Sequence, residues 1–282
     1  MGNASPARHD RAGRAGAPIV TGVSALFDLS GHVTLVTGGN GGIGLGMAEG
    51  LAAHGAAVAI WGTNPAKNDA AVEQLATHGG DVYAAVCDVG DRDAVYAGVA
   101  DVVEQLGRID SCFVNAGVPG RAPSFVEMTD EEWHRVLRVN LDGAFHTAQA
   151  ATAHMVERHR AGDRAGGSIV FTSSGSAFAG QQKGQHYGAS KAGINALMLG
   201  LAVEHARHGI RANSIVAGWT ESEMTAPVLT WDKFVANNLP RVPLRRWGTK
   251  EDFAGLAVYL AGPASGYHTG DIITIDGGYS IF

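Results

Sequence analysis

Tyr187 and Lys191, four residues apart, are the side chains in this sequence that best combine for acid–base chemistry. At about 3.6 residues per turn, this spacing places both side chains on one face of a helix. A tyrosine with its ordinary pKa of about 10 is a poor proton donor or acceptor at neutral pH, and a neighbouring ammonium favours the phenolate. Ordinary surface pairs have the same spacing, so these two residues alone do not establish catalysis.

Further polar residues stand at or near the ends of predicted strands. Ser174 follows one strand and precedes Tyr187 by thirteen residues, and Asn115-Ala116-Gly117 ends another. Asn140 lies in the middle of a predicted helix. Ligands of open α/β sheets bind at the carboxyl edge of the strands, so we expect the serine and the tyrosine to meet there.

A glycine-rich segment, Thr37 to Gly44, joins the first predicted strand to the first predicted helix. Glycines permit a tight turn and bring backbone N–H groups against a pyrophosphate at the positive end of the helix dipole. No Lys-Ser/Thr pair follows the glycines, which excludes a nucleotide triphosphate loop. The segment therefore predicts a dinucleotide site. The expected contacts are Gly38, Asn40, Gly42, Ile43 and Gly44.

The end of the second predicted strand leaves the choice between NAD and NADP open. An acidic residue there would hold the ribose hydroxyls of NAD, and an arginine would hold the phosphate of NADP. The sequence has Gly62 and Thr63 instead, and the nearest cation is Lys67.

Short β-branched runs alternate with longer helical patterns after residue 30. The predicted strands are 32–37, 57–62, 82–88, 109–117, 167–173, 210–216 and 272–276. The predicted helices are 43–54, 65–78, 91–107, 129–159, 186–208, 221–238 and 250–262. This alternation predicts an α/β fold: a doubly wound, parallel, seven-stranded Rossmann-type sheet with helices on both faces. We expect a single domain, residues 27–282, behind a mobile tail, residues 1–26.

Composition restricts the classes of partner. The net charge of −6 argues against nucleic-acid binding and against a polybasic membrane surface. The sequence contains no uninterrupted run of about 18 apolar residues, so it predicts no membrane span. Cys87 and Cys112 lie in apolar runs and are expected to be buried free thiols, which suits a cytoplasmic location. The arginine-rich, acid-poor tail also has the composition of a transit peptide, the less favoured alternative.

One predicted helix suggests assembly. Between Ala192 and Val203 its apolar residues occupy nearly every face. A helix that is apolar all round is buried all round, and the sheet covers only one side. We therefore expect a homo-oligomer, either a tetramer or a dimer.

Together these motifs resemble the short-chain dehydrogenase/reductase family, specifically its branch of about 250 residues, over roughly residues 27 to 282. The order and spacing of the motifs carry the resemblance. They are T-G-x-x-x-G-I-G at 37–44, Cys87-Asp88-Val89, Asn115-Ala116-Gly117, Ser174, Tyr187 with Lys191, and Ile275-Asp276-Gly277-Gly278.

The resemblance implies an NAD(P)-dependent oxidoreductase that interconverts a secondary alcohol and a ketone. Tyr187 would be the general acid in reduction and the general base in oxidation, and Ser174 would bind the substrate oxygen. Lys191 would lower the pKa of the tyrosine and hold the nicotinamide ribose. Asn140 would hold a water of the proton relay.

The resemblance also assigns the rest of the cofactor site. Asp88 and Val89 would contact the adenine, and residues 115–117 would flank its ribose, with Thr63 nearby. Gly218 and Thr220 would lie beside the nicotinamide. Ala217 stands where the family usually has proline, so we expect a less rigid turn there.

Substrate choice is less determined. Gln181 and Trp219, the latter at the start of a predicted flap over 219–238, are expected substrate contacts and favour a small polar substrate such as a sugar, sugar acid or polyol. The alternative is a 3-oxoacyl thioester reductase, whose acidic carrier would need the basic patch Arg241, Arg245 and Arg246. A remoter alternative is a non-catalytic NAD(P)-binding sensor. His186 is expected either to face water or to contact substrate.

The twelve histidines do not form a convincing metal site. Two pairs, His154 with His159 and His205 with His208, lie close together in predicted helices but among charged residues. Solvated helix faces explain such pairs, so we expect no bound metal.

Overall fold

Seven parallel strands form one sheet in the computed structural model, which describes residues 22–282. Their order across the sheet is β3-β2-β1-β4-β5-β6-β7. The strands are β1 (Val33–Thr37), β2 (Ala57–Gly62), β3 (Val82–Val86), β4 (Ser111–Val114), β5 (Gly167–Ser174), β6 (Ile210–Ala217) and β7 (Ile272–Ile275). The order reverses direction between β1 and β4, and ligands of such sheets bind at this point.

Helices cover both faces of the sheet. They are α1 (Gly42–Ala53), α2 (Pro65–Ala76), α3 (Arg92–Leu106), α4 (Asp130–Leu137), α5 (Gly143–Arg160), α6 (Gln185–His205), α7 (Ala226–Leu229), α8 (Asp232–Asn238) and α9 (Ala254–Ala261). Within residues 22–282, no helix has the length and apolar character that crossing a bilayer requires. The predicted doubly wound α/β fold is confirmed.

The sheet separates two apolar layers. Trp61, Phe171 and Met198 are fully buried in one layer, and Ile60 and Phe253 are fully buried in the other. Strands buried on both faces read as continuous apolar runs, which explains why the sequence of β1 and β4 shows no alternation. Cys87 and Cys112 are buried free thiols, as predicted.

The predicted tail lies mostly outside the described residues, which begin at residue 22. Residues 23–27, at the junction between the predicted tail and the predicted domain, form a short 3₁₀ turn. Its Leu26 carbonyl lies close to Gly262, after α9.

Two predicted helices are interrupted. The region 129–159 consists of α4, a π-helical turn over Arg138–Asp142, and α5. The region 221–238 contains only the short helices α7 and α8, separated by Trp231 in an extended conformation. A π-helical turn such as Arg138–Asp142 is a frequent interruption of α-helices at functional sites.

The strand predicted over 109–117 ends earlier, at Val114. The backbone N–H groups of Asn115 and Ala116 donate to the hydroxyl of Thr37, at 2.9 and 3.1 Å. Because one side chain takes both donors, the pairing of β4 with its neighbours stops there.

Candidate active site

The glycine-rich loop turns from β1 into α1 with two left-handed residues, Gly38 (φ 64°) and Gly42 (φ 51°). A Cβ at Gly44 would lie 2.2 Å from the carbonyl oxygen of Gly38, so only glycine allows this turn. The first N–H groups of a helix have no partner within it. Those that open α1 therefore provide the donors and the open backbone that a pyrophosphate needs.

Asn115 holds this loop from the neighbouring strand. Its side-chain amide donates to the carbonyl of Thr37 at 3.0 Å and lies 3.4 Å from that of Gly38. The side chain is thus directed at the turn itself. The predicted contact of residues 115–117 with the adenine ribose stays a prediction.

The end of β2 is filled by two amide side chains. Asn40 donates to Asn68 at 2.7 Å, directly beside Gly62. A Cβ at Gly62 would lie 2.0 Å from the amide nitrogen of Asn40, so this pair occupies the space of a larger residue. Thr63, the predicted ribose contact, is exposed next to it.

The nearest cation to this point already has a partner. Lys67, in the first turn of α2, forms an ion pair with Glu223, which lies between β6 and α7. Both side chains are largely exposed, so the ion pair is accessible to solvent and to ligands. Neither NAD nor NADP is favoured by this arrangement.

Asp88 lies beyond the end of β3 and bonds within the protein. Its carboxylate accepts hydrogen bonds from Arg138 and from the N–H of Gly90, both at 2.9 Å. Val89 is buried against Gly143. Their predicted adenine contacts stay predictions.

Tyr187 and Lys191 lie one turn apart at the start of α6. The ammonium of Lys191 is 5.7 Å from the centroid of the tyrosine ring and donates to the carbonyl of Thr172 at 2.7 Å. Lys191 is only 4% exposed, and burial lowers its pKa to about 8. In the helical pair predicted from the sequence, Lys191 is therefore buried against the end of β5, and Tyr187 is partly buried.

The effect on the tyrosine differs from the expectation. Burial raises the pKa of Tyr187 above its ordinary value, and the hydroxyl of Ser174 acts in the opposite direction. The ammonium of Lys191 donates to a backbone carbonyl and lies 5.7 Å from the centroid of the tyrosine ring. The group that lowers the pKa of Tyr187 is the Ser174 hydroxyl.

Ser174 ends β5 opposite Ala217 of β6. Its hydroxyl bonds to that of Ser176 at 3.3 Å, and Ser176 donates to the side chain of Gln181 at 2.6 Å. Gln181 is therefore linked to the serine through one hydroxyl, while its predicted contact with substrate stays a prediction.

Asn140 is buried in the π-turn and bonds to the loop after β4. It accepts from the N–H of Val118 at 2.8 Å and donates to its carbonyl at 3.0 Å. A Cβ at Gly117 would lie 3.3 Å from Asn140 and 3.6 Å from the ammonium of Lys191. The observed role of this side chain is to hold the loop, and its predicted role in a water relay stays a prediction.

The turn after β6 carries two hydrogen bonds next to Ala217, and its predicted lower rigidity stays a prediction. The N–H of Gly218 donates to Ile275 of β7 at 2.9 Å, and the buried hydroxyl of Thr220 donates to the carbonyl of Gly218 at 3.2 Å. These two bonds provide restraint where proline is absent. Trp219 packs edge-on against Phe234, with 4.8 Å between ring centroids, so its ring is part of the packing of the flap.

His186 does not face water, and its alternative role as a substrate contact stays a prediction. It is fully buried and bonds to the carboxylate of Glu132 at 3.0 Å, and Glu132 in turn pairs with Arg135 at 2.7 Å. The sequence analysis did not identify Glu132 or Arg135. The only signal was a run of acids at a helix start, which is ordinary dipole complementation.

The structure brings the four predicted catalytic residues to the carboxyl edge of the sheet. Asn140 and the ammonium of Lys191 approach Gly117. Tyr187 lies one turn before Lys191, and the hydroxyl of Ser174 is close enough to lower the pKa of Tyr187. The glycine loop lies beside them at the point where the strand order reverses. Thr63 and Asp88 stand at the ends of the strands on the far side of that loop, where an adenosine would extend.

This chain is similar to a protein family and to several known proteins. A family model described as "Enoyl-(Acyl carrier protein) reductase" matches residues 38–280. Gluconate 5-dehydrogenase from Gluconobacter oxydans is 35% identical over 91% of this chain and 97% of its own length. L-rhamnose 1-dehydrogenase (NAD(P)(+)) from a Sphingomonas strain is 38% identical over 89% and 96%. The 3-oxoacyl-[acyl-carrier-protein] reductase of Chlamydia pneumoniae is 36% identical over 89% and 97%.

Two solved structures are also similar to this chain. A short-chain type dehydrogenase/reductase from Mycobacterium marinum is 37% identical, with a TM-score of 0.84 over 90% of this chain and 98% of that one. A gluconate 5-dehydrogenase from Burkholderia cenocepacia, in complex with NADP and tartrate, is 32% identical, with a TM-score of 0.84 over 91% and 98%.

Replacing Gly44 by alanine should abolish cofactor binding, because the new methyl group would meet the Gly38 carbonyl at 2.2 Å and force the loop open. Titration of NADH and NADPH fluorescence measures this directly. Gly255→Ala is the matched control, since its Cβ would enter open space on α9. Equal affinity of both variants would contradict the assigned cradle.

Replacing Lys191 by methionine should stabilise the cofactor-free protein at pH 7. The lysine has a pKa of about 8 when folded against an ordinary 10.5, so its burial penalty is complete below pH 8 and disappears as the pH rises towards 10.5. The gain should be at most about 3 kcal/mol and should shrink at pH 10. Denaturant unfolding of both proteins at the two pH values checks this; a gain independent of pH contradicts it.

Proposed function

This chain belongs to the short-chain dehydrogenase/reductase family, and we propose that it interconverts a secondary alcohol and a ketone on a small sugar or sugar acid, with NAD or NADP as cofactor. The observation that carries the proposal is the pair of partly buried Tyr187 and buried Lys191 beside Ser174, at the carboxyl edge of the sheet and next to the glycine loop.

The proposed chemistry divides between these side chains. The hydroxyl of Tyr187 gives its proton to the carbonyl oxygen of a ketone and takes it back when an alcohol is oxidised. Ser174 donates a hydrogen bond to the same oxygen and stabilises the charge that develops there. Lys191 keeps N–H donors beyond its bond to Thr172, and these are available to hold ribose hydroxyls.

The nicotinamide cofactor supplies or accepts the hydride when it is bound. The chain would hold it along the carboxyl edge, with the pyrophosphate on the opening turn of α1. The residues proposed to contact it are Gly38, Asn40, Gly42, Ile43, Gly44, Thr63, Asp88, Val89, Asn115, Ala116, Gly117, Tyr187, Lys191, Gly218 and Thr220.

A sugar or sugar acid is favoured over an acyl thioester on a carrier protein. The basic patch that a carrier would need is reduced in charge, because Arg246 pairs with Asp252 at 2.6 Å, while Arg241 stacks on Tyr279 at 4.6 Å. Several relatives are named for gluconate and rhamnose, although two are acyl-carrier reductases. The polar group of Ser176 and Gln181 beside Ser174 also suits a hydroxylated substrate.

A cytoplasmic location is proposed as well. The support is the pair of buried free thiols, Cys87 and Cys112, which a reducing compartment preserves.

We also propose a homo-oligomer that pairs through α5 and α6. A groove of about 680 Å³ runs between these helices and is lined by apolar side chains that include Phe145, Leu197 and Leu201. Beside it Val203 is 84% exposed and Leu199 is 46% exposed. An apolar helix face of this kind fits a second copy of the same face, as twofold symmetry requires.

Val203→Glu should reduce the molar mass in solution, because the substitution puts a charge into the proposed interface. Light scattering after size exclusion measures the mass. Tyr267→Glu, at a fully exposed position outside α5 and α6, is the control and should leave the mass unchanged. A monomeric parent protein would refute the assembly.

Turnover should require the tyrosine hydroxyl. The parent protein is assayed with 5-keto-D-gluconate, sorbose, rhamnose and an acetoacetyl thioester, with NADH/NAD and NADPH/NADP in parallel. Tyr187→Phe should lower kcat on the best substrate by about 10²–10⁴-fold while the cofactor Kd stays within about twofold. Turnover that survives the substitution, or a preference for the thioester, would overturn the respective part of the proposal.

A further inference from the structure

The loop that follows β4 borders the proposed substrate site. Its residues 117–121, called the β4–α4 loop from here on, begin beside the catalytic lysine, where Gly117 approaches the ammonium. Val118 is held at this end by two hydrogen bonds to Asn140. One end of the loop is therefore fixed by a residue of the site already described.

The other end of the loop is fixed by an ion pair on α4. The carboxylate of Glu132 accepts the backbone N–H of Arg121 at 2.6 Å, and Arg135 donates to the carbonyl of Pro119 at 2.7 Å. Glu132 and Arg135 also bond to each other through two contacts, at 2.7 and 3.0 Å. Arg135 and the other donors lower the pKa of Glu132 to about 2, so the carboxylate stays charged.

His186 connects this ion pair to the catalytic helix. It immediately precedes Tyr187, is fully buried, and bonds to Glu132 at 3.0 Å. A Cβ at Gly120 would lie 2.4 Å from the imidazole ring. The φ angle of Gly120 is not in the left-handed region, so glycine is needed here because of the histidine and not because of the turn.

We propose that Glu132, Arg135 and His186 are positioning residues that hold the β4–α4 loop against Tyr187 as one wall of the substrate site and thereby set which substrates fit. The part concerning substrate rests on the proposed function. The part concerning the loop does not, because the anchoring of the backbone can be measured without turnover.

The loop itself is tested by cleavage with trypsin after Arg121, identified by mass spectrometry. Glu132→Gln keeps the shape of the side chain but presents an amide to donors that need an acceptor. This variant should be cleaved about tenfold faster than the parent, because local opening becomes easier. Glu131→Gln, at the exposed neighbouring acid, is the control and should be cleaved at the parent rate.

The link to substrate is tested by a double-mutant cycle. Gly120→Ala should raise KM for 5-keto-D-gluconate, or for the best ketone of the panel, about tenfold and leave the NADPH Kd unchanged. In the His186→Ala background, where the ring is gone, the same substitution should cost less than about twofold. A merely structural role would lower the melting temperature without this dependence of KM on the partner.

Two results would overturn the proposal. The first is equal cleavage after Arg121 in the Glu132→Gln and Glu131→Gln proteins. The second is an equal cost of Gly120→Ala in both backgrounds. A parent protein that turns over none of the substrates would refute the proposed function but would leave the cleavage comparison decisive for the loop.

Discussion

A buried ammonium beside a partly buried phenol is the constraint around which this site is built. Removing the ammonium of Lys191 from water costs free energy, and its pKa is therefore lowered to about 8. The hydrogen bond to the carbonyl of Thr172 offsets only part of that cost. The end of β5, the start of α6 and the close approach of Gly117 surround the charge with polar backbone. Because burying the charge of Lys191 destabilises the fold, stability alone does not explain why the site contains it.

The fold could be predicted because its signals are local. The alternation of β-branched and helical runs predicts seven strands along the chain, and the glycine loop joins β1 to α1 as predicted. The shorter β4 and the π-turn were not predictable in this way. Both involve side chains that bond to backbone far along the chain, Thr37 to residue 115 and Asn140 to Val118, and periodicity carries no information about such pairs.

The sequence predicts which residues lie near one another at this site better than it predicts the bonds that they form. The spacing predicts that Tyr187 and Lys191 share a helix face, but no sequence pattern indicates that the ammonium bonds to a backbone carbonyl. Likewise His186 could be placed beside the tyrosine, while its partner Glu132 lies 54 positions away and resembles an ordinary acid of a helix start. Hydrogen bonds between residues that are distant in sequence determine these interactions.

The amide pair beside Gly62 has a consequence for how cofactor preference can evolve. An aspartate at the end of β2 is the simplest way to select NAD, yet any side chain there would collide with Asn40 at 2.0 Å. Since the clashing atoms are the ends of side chains, an acid at position 62 requires Asn40 and Asn68 to rotate away and to lose their hydrogen bond at 2.7 Å. A change of cofactor preference at this position therefore involves three side chains, whereas the ion pair of Lys67 and Glu223 is exposed and lies outside the amide pair.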